Sequence, residues 1–295
     1  MLSMFTHDPR LEETRLSWNV ATAAHNAHKA AQGEWLRTHS TLFPEELTLL
    51  GDVRGARLLH VCCNSGQDTV SLARHHGAAC TGVDFSEEAI TTARRLAAEV
   101  GLELPFHHDE ALRFLEGTPE RFDVVYGSYG FLPWMLDLPS ILRGVRRVLR
   151  PGGRFVVLEF HPMAWSFDER FQLRDPYFTE QLFSDPVSDY VGAAGGALSP
   201  SGHREVAEPF ANPHRAHSAQ HTIEQTVMAC LRAGLVLEQL REWPFSNGCR
   251  IHEGLVPAGA EGLDARRFTT PPGVPTLPLM LGVVARLPTT AALAE

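Results

Sequence analysis

A glycine and a carboxylate 18 residues apart carry the first chemical signal in the chain. In LLHVCCNSGQDTVSLARHHGAACTGVDF, Gly66 opens a helical pattern and Asp84 ends the next apolar run. A bound nucleoside explains that spacing. Backbone N–H groups at a turn and helix N-terminus hold a polar ligand, and a strand-end carboxylate accepts hydrogen bonds from ribose hydroxyls. Two histidine groups have chemical spacing as well. His25, His28 and Gln32 fall at i, i+3 and i+7 of WNVATAAHNAHKAAQGEWL, one face of a continuous helix that either meets a ligand or is solvated. His214, His217 and His221 stand at steps of three and four, but no acid or cysteine completes a recognisable site, so no metal is expected.

These residues need a scaffold. LLHVCC reads as a buried strand, Gln67 to His76 as a helix, ACTGVDF as a second strand, and Ser86 as the cap of a helix reaching about Val100. ELPFHH, FDVVYGS and GRFVVLEF supply three more strands, and a helix from Ser140 to Leu149 is stopped by Pro151, Gly152 and Gly153. Strands alternating with helices call for a parallel sheet covered on both faces. After Phe160 the rhythm breaks: residues 161–221 are rich in Pro, Gly, Ser and His without a period, which marks an inserted cap. Regularity returns with a helix over Thr222 to Ala233 and the strand LVLEQLREW. Residues 244–276 read as loop, PLMLGVVARL as the final strand, and the last residues are expected to fray.

Composition narrows the function. With 295 residues, 44% apolar and 21% charged, the chain is an ordinary globular protein. Its 26 basic and 35 acidic residues leave a charge of -9, which repels phosphate backbones and anionic lipid, so neither nucleic acid nor membrane is an expected partner. Five cysteines without a C-x-x-C point to a reducing compartment. There is no basic start followed by a long apolar stretch, and no run of about 18 apolar residues; a cytoplasmic location is expected. The remaining class is small-molecule chemistry.

The turn before Gly66, the strand-end Asp84, HDEAL (108–112), FDVVYGSYGFL and LRPGGRFVVLEF occur in an order that resembles the class I S-adenosylmethionine-dependent methyltransferases. The resemblance covers about Arg57 to Phe160 and continues more weakly through the last helix and strands. It implies an α/β, Rossmann-like sheet of seven strands in the order 3-2-1-4-5-7-6, the last antiparallel, with S-adenosyl-L-methionine as cofactor. The implied division is an N-terminal helical lid (1–50), a cofactor-binding core (51–160), an inserted substrate cap (161–221) and a C-terminal completion of the sheet (222–295). By the same resemblance Phe85 packs on the adenine, Asp109, Glu110 and Ala111 border its amino edge, and Ser128, Tyr129 and Gly130 stand where donor and acceptor meet. The resemblance also implies a lid that closes over the cofactor, for which His25, Asn26 and His28 are the candidate contacts. Asp109 and Glu110 have a second reading as the cap of the following helix, and Tyr129 as a half-buried aromatic.

One departure stands out. The family places an acid before three alternating glycines, whereas this chain has His60, then Cys62, Asn64 and Gly66. Side chains at Cys62 and Asn64 crowd a close backbone approach, so Asn64, Gln67 and Asp68 either bond the cofactor's methionine end or cap the helix.

Methyl transfer is an in-line displacement with a neutral leaving group, so the protein aligns the acceptor, excludes water and removes a proton where needed. Glu159 and His161 follow the fifth strand and are the expected base or orienting pair; a structural acid and a loop histidine are the alternatives. Trp134, Trp165, Phe167, Tyr177, Phe178 and Tyr190 either line an apolar pocket or form the cap's own core. Three functions stay open: methylation of a small, specialised-metabolite-like acceptor at N, O or C; cyclisation of the cofactor's aminobutyl arm to azetidine-2-carboxylate; and nucleoside binding without turnover. The sequence indicates no oligomeric state.

Overall fold

The computed structural model describes residues 8–289, so the fraying expected of the last residues falls outside the described residues from 290 onward. Three helices precede the sheet: α1 (Pro9–Ala27), α2 (Gln32–Leu36) and α3 (Pro44–Leu50). Strict alternation follows, with β1 (Arg57–Val61), α4 (Gln67–His76), β2 (Ala79–Asp84), α5 (Glu87–Glu99) and β3 (Phe106–His108). It continues through α6 (Ala111–Gly117), β4 (Phe122–Ser128), α7 (Leu138–Val148) and β5 (Leu149–Phe160). The insertion holds β6 (Phe183–Asp185), α8 (Tyr190–Ala194) and β7 (Ala216–Ser218), and is followed by α9 (Ile223–Arg232) and β8 (Val236–Trp243). Three short strands, β9 (Ser246–Asn247), β10 (Val256–Pro257) and β11 (Arg267–Thr269), come before β12 (Met280–Arg286).

The main sheet runs β3-β2-β1-β4-β5-β12-β8, with β12 antiparallel to both neighbours. Counted along the chain, that is the order 3-2-1-4-5-7-6 of a Rossmann-like methyltransferase sheet. Strand order reverses between β1 and β4, which opens a crevice at the carboxyl ends of the strands. Both faces of the sheet are apolar. Leu59, Phe122 and Phe155 pack under α7 and α9, whereas Leu58, Tyr126 and Val156 pack on the opposite side with Leu49 and Leu50 of α3. In α7, Leu138, Ile141, Leu142, Val145 and Val148 recur at steps of three and four and are all buried. Among the described residues no helix is long and apolar enough to cross a membrane.

Two local expectations change. The helix read across Trp18 to Leu36 is split, because α1 ends at Ala27 and Ala31 takes φ +45° before α2 begins. Residues 28–31 leave the helix to bond the insertion, Ala30 N–H donating to Gly202 O and Arg204 N–H to His28 O, each at 2.8 Å. The stretch read as loop over 244–276 contains the antiparallel sheet β10-β11-β9, and the insertion contains the pair β6–β7. Strands of two or three residues are too short to show a period.

Candidate functional site

A cavity of about 240 Å³ lies at the crevice, walled by the segments that leave β1, β2, β3 and β4. Its shape begins with the turn after β1. Cys62, Asn64 and Gly66 all have positive φ, at +56°, +47° and +73°, so every second residue is left-handed. Asparagine tolerates that region, and here its side chain is tied down locally. Asn64 Oδ1 accepts from Ser65 N at 2.6 Å and from Ser65 Oγ at 3.0 Å, while Asn64 N donates to Asp84 Oδ2 at 2.8 Å. Side-chain bonding thus holds a conformation that glycines would merely permit. Cys62, Asn64, Gln67 and Asp68 line the cavity.

Gly66, expected among the cofactor contacts, is not on the wall. A Cβ there would stand 2.7 Å from Ala93 Cβ and 3.0 Å from Phe106 Cζ, so the missing side chain serves the approach of α4 to α5 and β3.

Asp84 ends β2 on the wall. Oδ1 accepts from Ser86 N at 2.9 Å and Oδ2 from Asn64 N. Burial raises its pKa to about 6, with the backbone hydrogen bonds from Ser86, Asn64 and Phe85 acting against the rise. Phe85, Asp109, Glu110 and Ala111 share this end of the cavity. Glu110 also caps α6, accepting from Leu112 N at 2.9 Å and Arg113 N at 2.8 Å, and Asp109 pairs with Arg113.

The N-terminal segment closes one side. His25 lines the cavity, and burial lowers its pKa to about 4, so it is a neutral ring whose Nε2 meets Ser188 O at 2.9 Å. Asn26 Nδ2 donates to Ser65 Oγ at 2.8 Å, Gln32 Nε2 to Asn26 Oδ1 at 3.1 Å, and Gln67 Nε2 to Gln32 Oε1 at 2.8 Å. The first and third bonds tether the segment to the turn after β1 and to the start of α4, and the second joins them within the segment. His28 is not on the wall; its Nε2 lies 2.7 Å from Asp189 Oδ2 and its Nδ1 2.8 Å from Arg204 O, which ties the end of α1 to the insertion.

Charged groups cluster beyond the turn. Asp68 accepts from Thr41 Oγ1 at 2.5 Å. Lys29 also lines the cavity, and burial lowers its pKa to about 8 against the pull of Asp68. His60, at the position of the family's acid, lies between Thr69 Oγ1 at 2.9 Å and Ser128 Oγ at 3.3 Å. Burial lowers its pKa to about 4, so a neutral ring replaces a carboxylate.

The far end is built around Tyr129, a bulky residue at φ +36°. Its hydroxyl donates to Glu46 Oε2 at 3.0 Å and accepts from Asn247 Nδ2 at 3.1 Å. Glu46 also accepts from Tyr126 Oη at 2.7 Å and Phe43 N at 2.7 Å. Burial, and then the charge of Asp68, push its pKa up to about 8. Glu46, Asn247 and Arg266 line this end and were not among the residues picked from the sequence. PEEL reads as a helix start, and nothing in it separates Glu46 from Glu45; Asn247 and Arg266 sit in a stretch read as loop.

Glu159 and His161 are elsewhere. Glu159 Oε1 accepts from Gly130 N at 2.6 Å and Phe160 N at 2.8 Å, and Oε2 accepts from Leu132 N at 2.9 Å. It is 2% exposed and off the cavity wall. His161 Nδ1 accepts from Met163 N at 3.0 Å, leaving Nε2–H for Glu242 Oε1 at 2.9 Å, and it too is off the wall. The carboxylate is spent on backbone donors, which is the structural alternative of the sequence reading. Of Trp134, which follows β4, and the five aromatics picked out in the insertion, Trp134 and Tyr190 reach the cavity, where Trp18 crosses them edge-on at 5.4 and 6.5 Å. Trp165 and Phe178 are exposed, at 38% and 81%. His217 pairs with Glu13 and His221 meets Met135 O, so these two rings turn to separate partners.

A family model described as a methyltransferase domain matches residues 58–153. The chain is 36% identical over 107 residues to a ubiquinone biosynthesis O-methyltransferase of Aeromonas salmonicida, covering 36% of this chain and 44% of that protein. It is 26% identical over 198 residues to a demethylmenaquinone methyltransferase of Bacillus velezensis, covering 65% of this chain and 84% of the relative. With the former, and with its counterpart from Sodalis glossinidius, the match spans less than half of the relative's length. A solved S-adenosylmethionine-dependent methyltransferase structure from Methanosarcina mazei shares the fold at a TM-score of 0.53 and 17% identity, covering 84% of this chain and 99% of that one.

Proposed function

We propose that the chain is a class I S-adenosylmethionine-dependent methyltransferase acting on a small-molecule acceptor, a reading supported by the methyltransferase-domain match over residues 58–153, by the methyltransferase relatives and by the shared fold. One observation carries the reading: a single cavity joins the Asp84 end to the Tyr129–Glu46 end. The residues present fit the cofactor. The two Asp84 oxygens accept backbone N–H groups and together keep acceptor capacity for a ribose hydroxyl, and the wall beside them offers the Phe85 ring and Asp109 for an adenine. Beyond the turn, Asp68 and Lys29 present opposite charges, which suits the amino and carboxylate groups of a methionine end. When bound, the cofactor supplies an electrophilic methyl group.

The chain's own residues do the rest. His25, Trp18 and Trp134 wall the cavity from the side of α1 and exclude water. Glu46, once ionised, takes the acceptor's proton, and Tyr126, Tyr129 and the Phe43 N–H hold its carboxylate in place. The space continuing past Tyr129 to Asn247 and Arg266 favours a separate acceptor over self-cyclisation or binding alone. Mass spectrometry of the purified chain with S-adenosylmethionine tests the reading. S-adenosylhomocysteine formed only in the presence of an acceptor supports it; methylthioadenosine formed without one means cyclisation, and neither product means a binding module.

A further inference from the structure

Arg266 brings a guanidinium to the acceptor end of the cavity. It immediately precedes β11, and its Nε donates to Ala197 O at 3.2 Å. The guanidinium carbon stands 4.6 Å from the centre of the Phe43 ring. Nearby acids are engaged by others. Arg267 takes Glu45 at 2.5 Å and Asp264 at 3.3 Å, and Glu46 accepts from two tyrosine hydroxyls and the Phe43 N–H. Among the described residues no Asp or Glu forms an ion pair with Arg266. A guanidinium carries five N–H donors in a planar fork, and one of them is used here.

A partly buried cation that faces a cavity with its fork open is arranged for a planar anion. Phe43, Phe160, Leu198 and Pro200 add apolar surface to a lining that also carries Glu46, Tyr129 and Asn247. We infer that Arg266 anchors a carboxylate of the acceptor, which makes the acceptor class an apolar or aromatic acid. This rests on the methyl-transfer reading. The same chemistry has a second source, the cofactor's own carboxylate, so the test separates the two.

The full chain saturated with S-adenosylhomocysteine is titrated calorimetrically with benzoate, phenylacetate and indole-3-acetate, and with the amide of each. At least one acid should bind saturably and its amide about tenfold or more weaker, the scale of hydrogen bonds to a charged group. Arg266→Met should lower the acid's affinity by about tenfold or more, and Arg266→Lys should restore part of it, with melting temperature and S-adenosylhomocysteine affinity unchanged. Acid and amide binding alike, no acid binding, or an Arg266→Met variant that keeps its affinity each overturns the inference. So does a loss of S-adenosylhomocysteine affinity in Arg266→Met while methylthioadenosine, which lacks the carboxylate, binds as before; the partner is then the cofactor. A wild-type chain that binds no S-adenosylhomocysteine refutes instead the methyl-transfer reading beneath it.

Discussion

The Glu159 carboxylate lies 2.6 Å from the backbone nitrogen of Gly130, the residue after Tyr129 with its φ of +36°. A bulky residue held left-handed costs on the order of 1–3 kcal/mol and persists only where its surroundings over-determine it. Glu159 supplies that constraint by accepting N–H groups on both sides of the crevice edge, at Gly130 and Leu132 and at Phe160.

Glu159→Gln should therefore act on the scaffold. The amide turns one acceptor oxygen into a donor facing backbone N–H groups, which should cost about 1–3 kcal/mol in a denaturant titration. Turnover should fall with Tyr129 displaced, while its pH dependence keeps the wild-type shape. A variant of full stability with a flattened pH profile would return the proton-accepting role to Glu159.

Glu46→Gln should remove the proton acceptor. With Glu46 at about 8, wild-type turnover should climb as pH rises through that value. The variant should lose about 10²-fold to 10⁴-fold, with a flat profile and S-adenosylhomocysteine affinity within about twofold of wild type. An unchanged profile would leave the acceptor with no base at Glu46.

Stability should carry the opposite slope. Glu46 at about 8, Glu159 at about 7 and Asp84 at about 6 are all raised above ordinary carboxyl values, so the folded chain holds protons that the unfolded chain has released. Their contribution is fully present below the ordinary carboxyl range and is lost as pH rises through about 6 to 8. Melting temperature should fall between pH 5 and pH 8.5 and fall less in Glu46→Gln, as differential scanning fluorimetry would show. A melting temperature that rises over that window contradicts the burial of these groups.

Asp84→Ala should weaken S-adenosylhomocysteine binding, because each hydrogen bond to a charged acceptor contributes about 1.5 to 3 kcal/mol. Calorimetry within twofold of wild type would remove Asp84 from the site.

Hydrogen exchange should slow across Trp18 to Leu36 when S-adenosylhomocysteine binds, since Asn26 and Gln32 are linked through Ser65 and Gln67 to the turn. Ser65→Ala with Gln67→Ala should lessen that protection. Equal exchange with and without ligand would make the segment a fixed part of the scaffold.

Local interactions made much of this chain legible as text. The seven strands of the sheet and most of their helices follow from apolar periodicity, caps and glycine stops, which depend on residues a few positions apart. Asp84 was legible for the same reason: one strand, one turn and one helix fix its distance from Gly66. The far end of the cavity was not. Glu46 meets Tyr129 across 83 positions and Asn247 meets it across 118, and no spacing rule reaches that far. The role of Glu159 turned on the same limit. Strand position brings it to the crevice, but the Gly130 and Leu132 N–H groups that claim its carboxylate are 29 and 27 positions away. Which side chain reaches the cavity and which is consumed by backbone donors depends on long-range packing, so only the tertiary structure decided it.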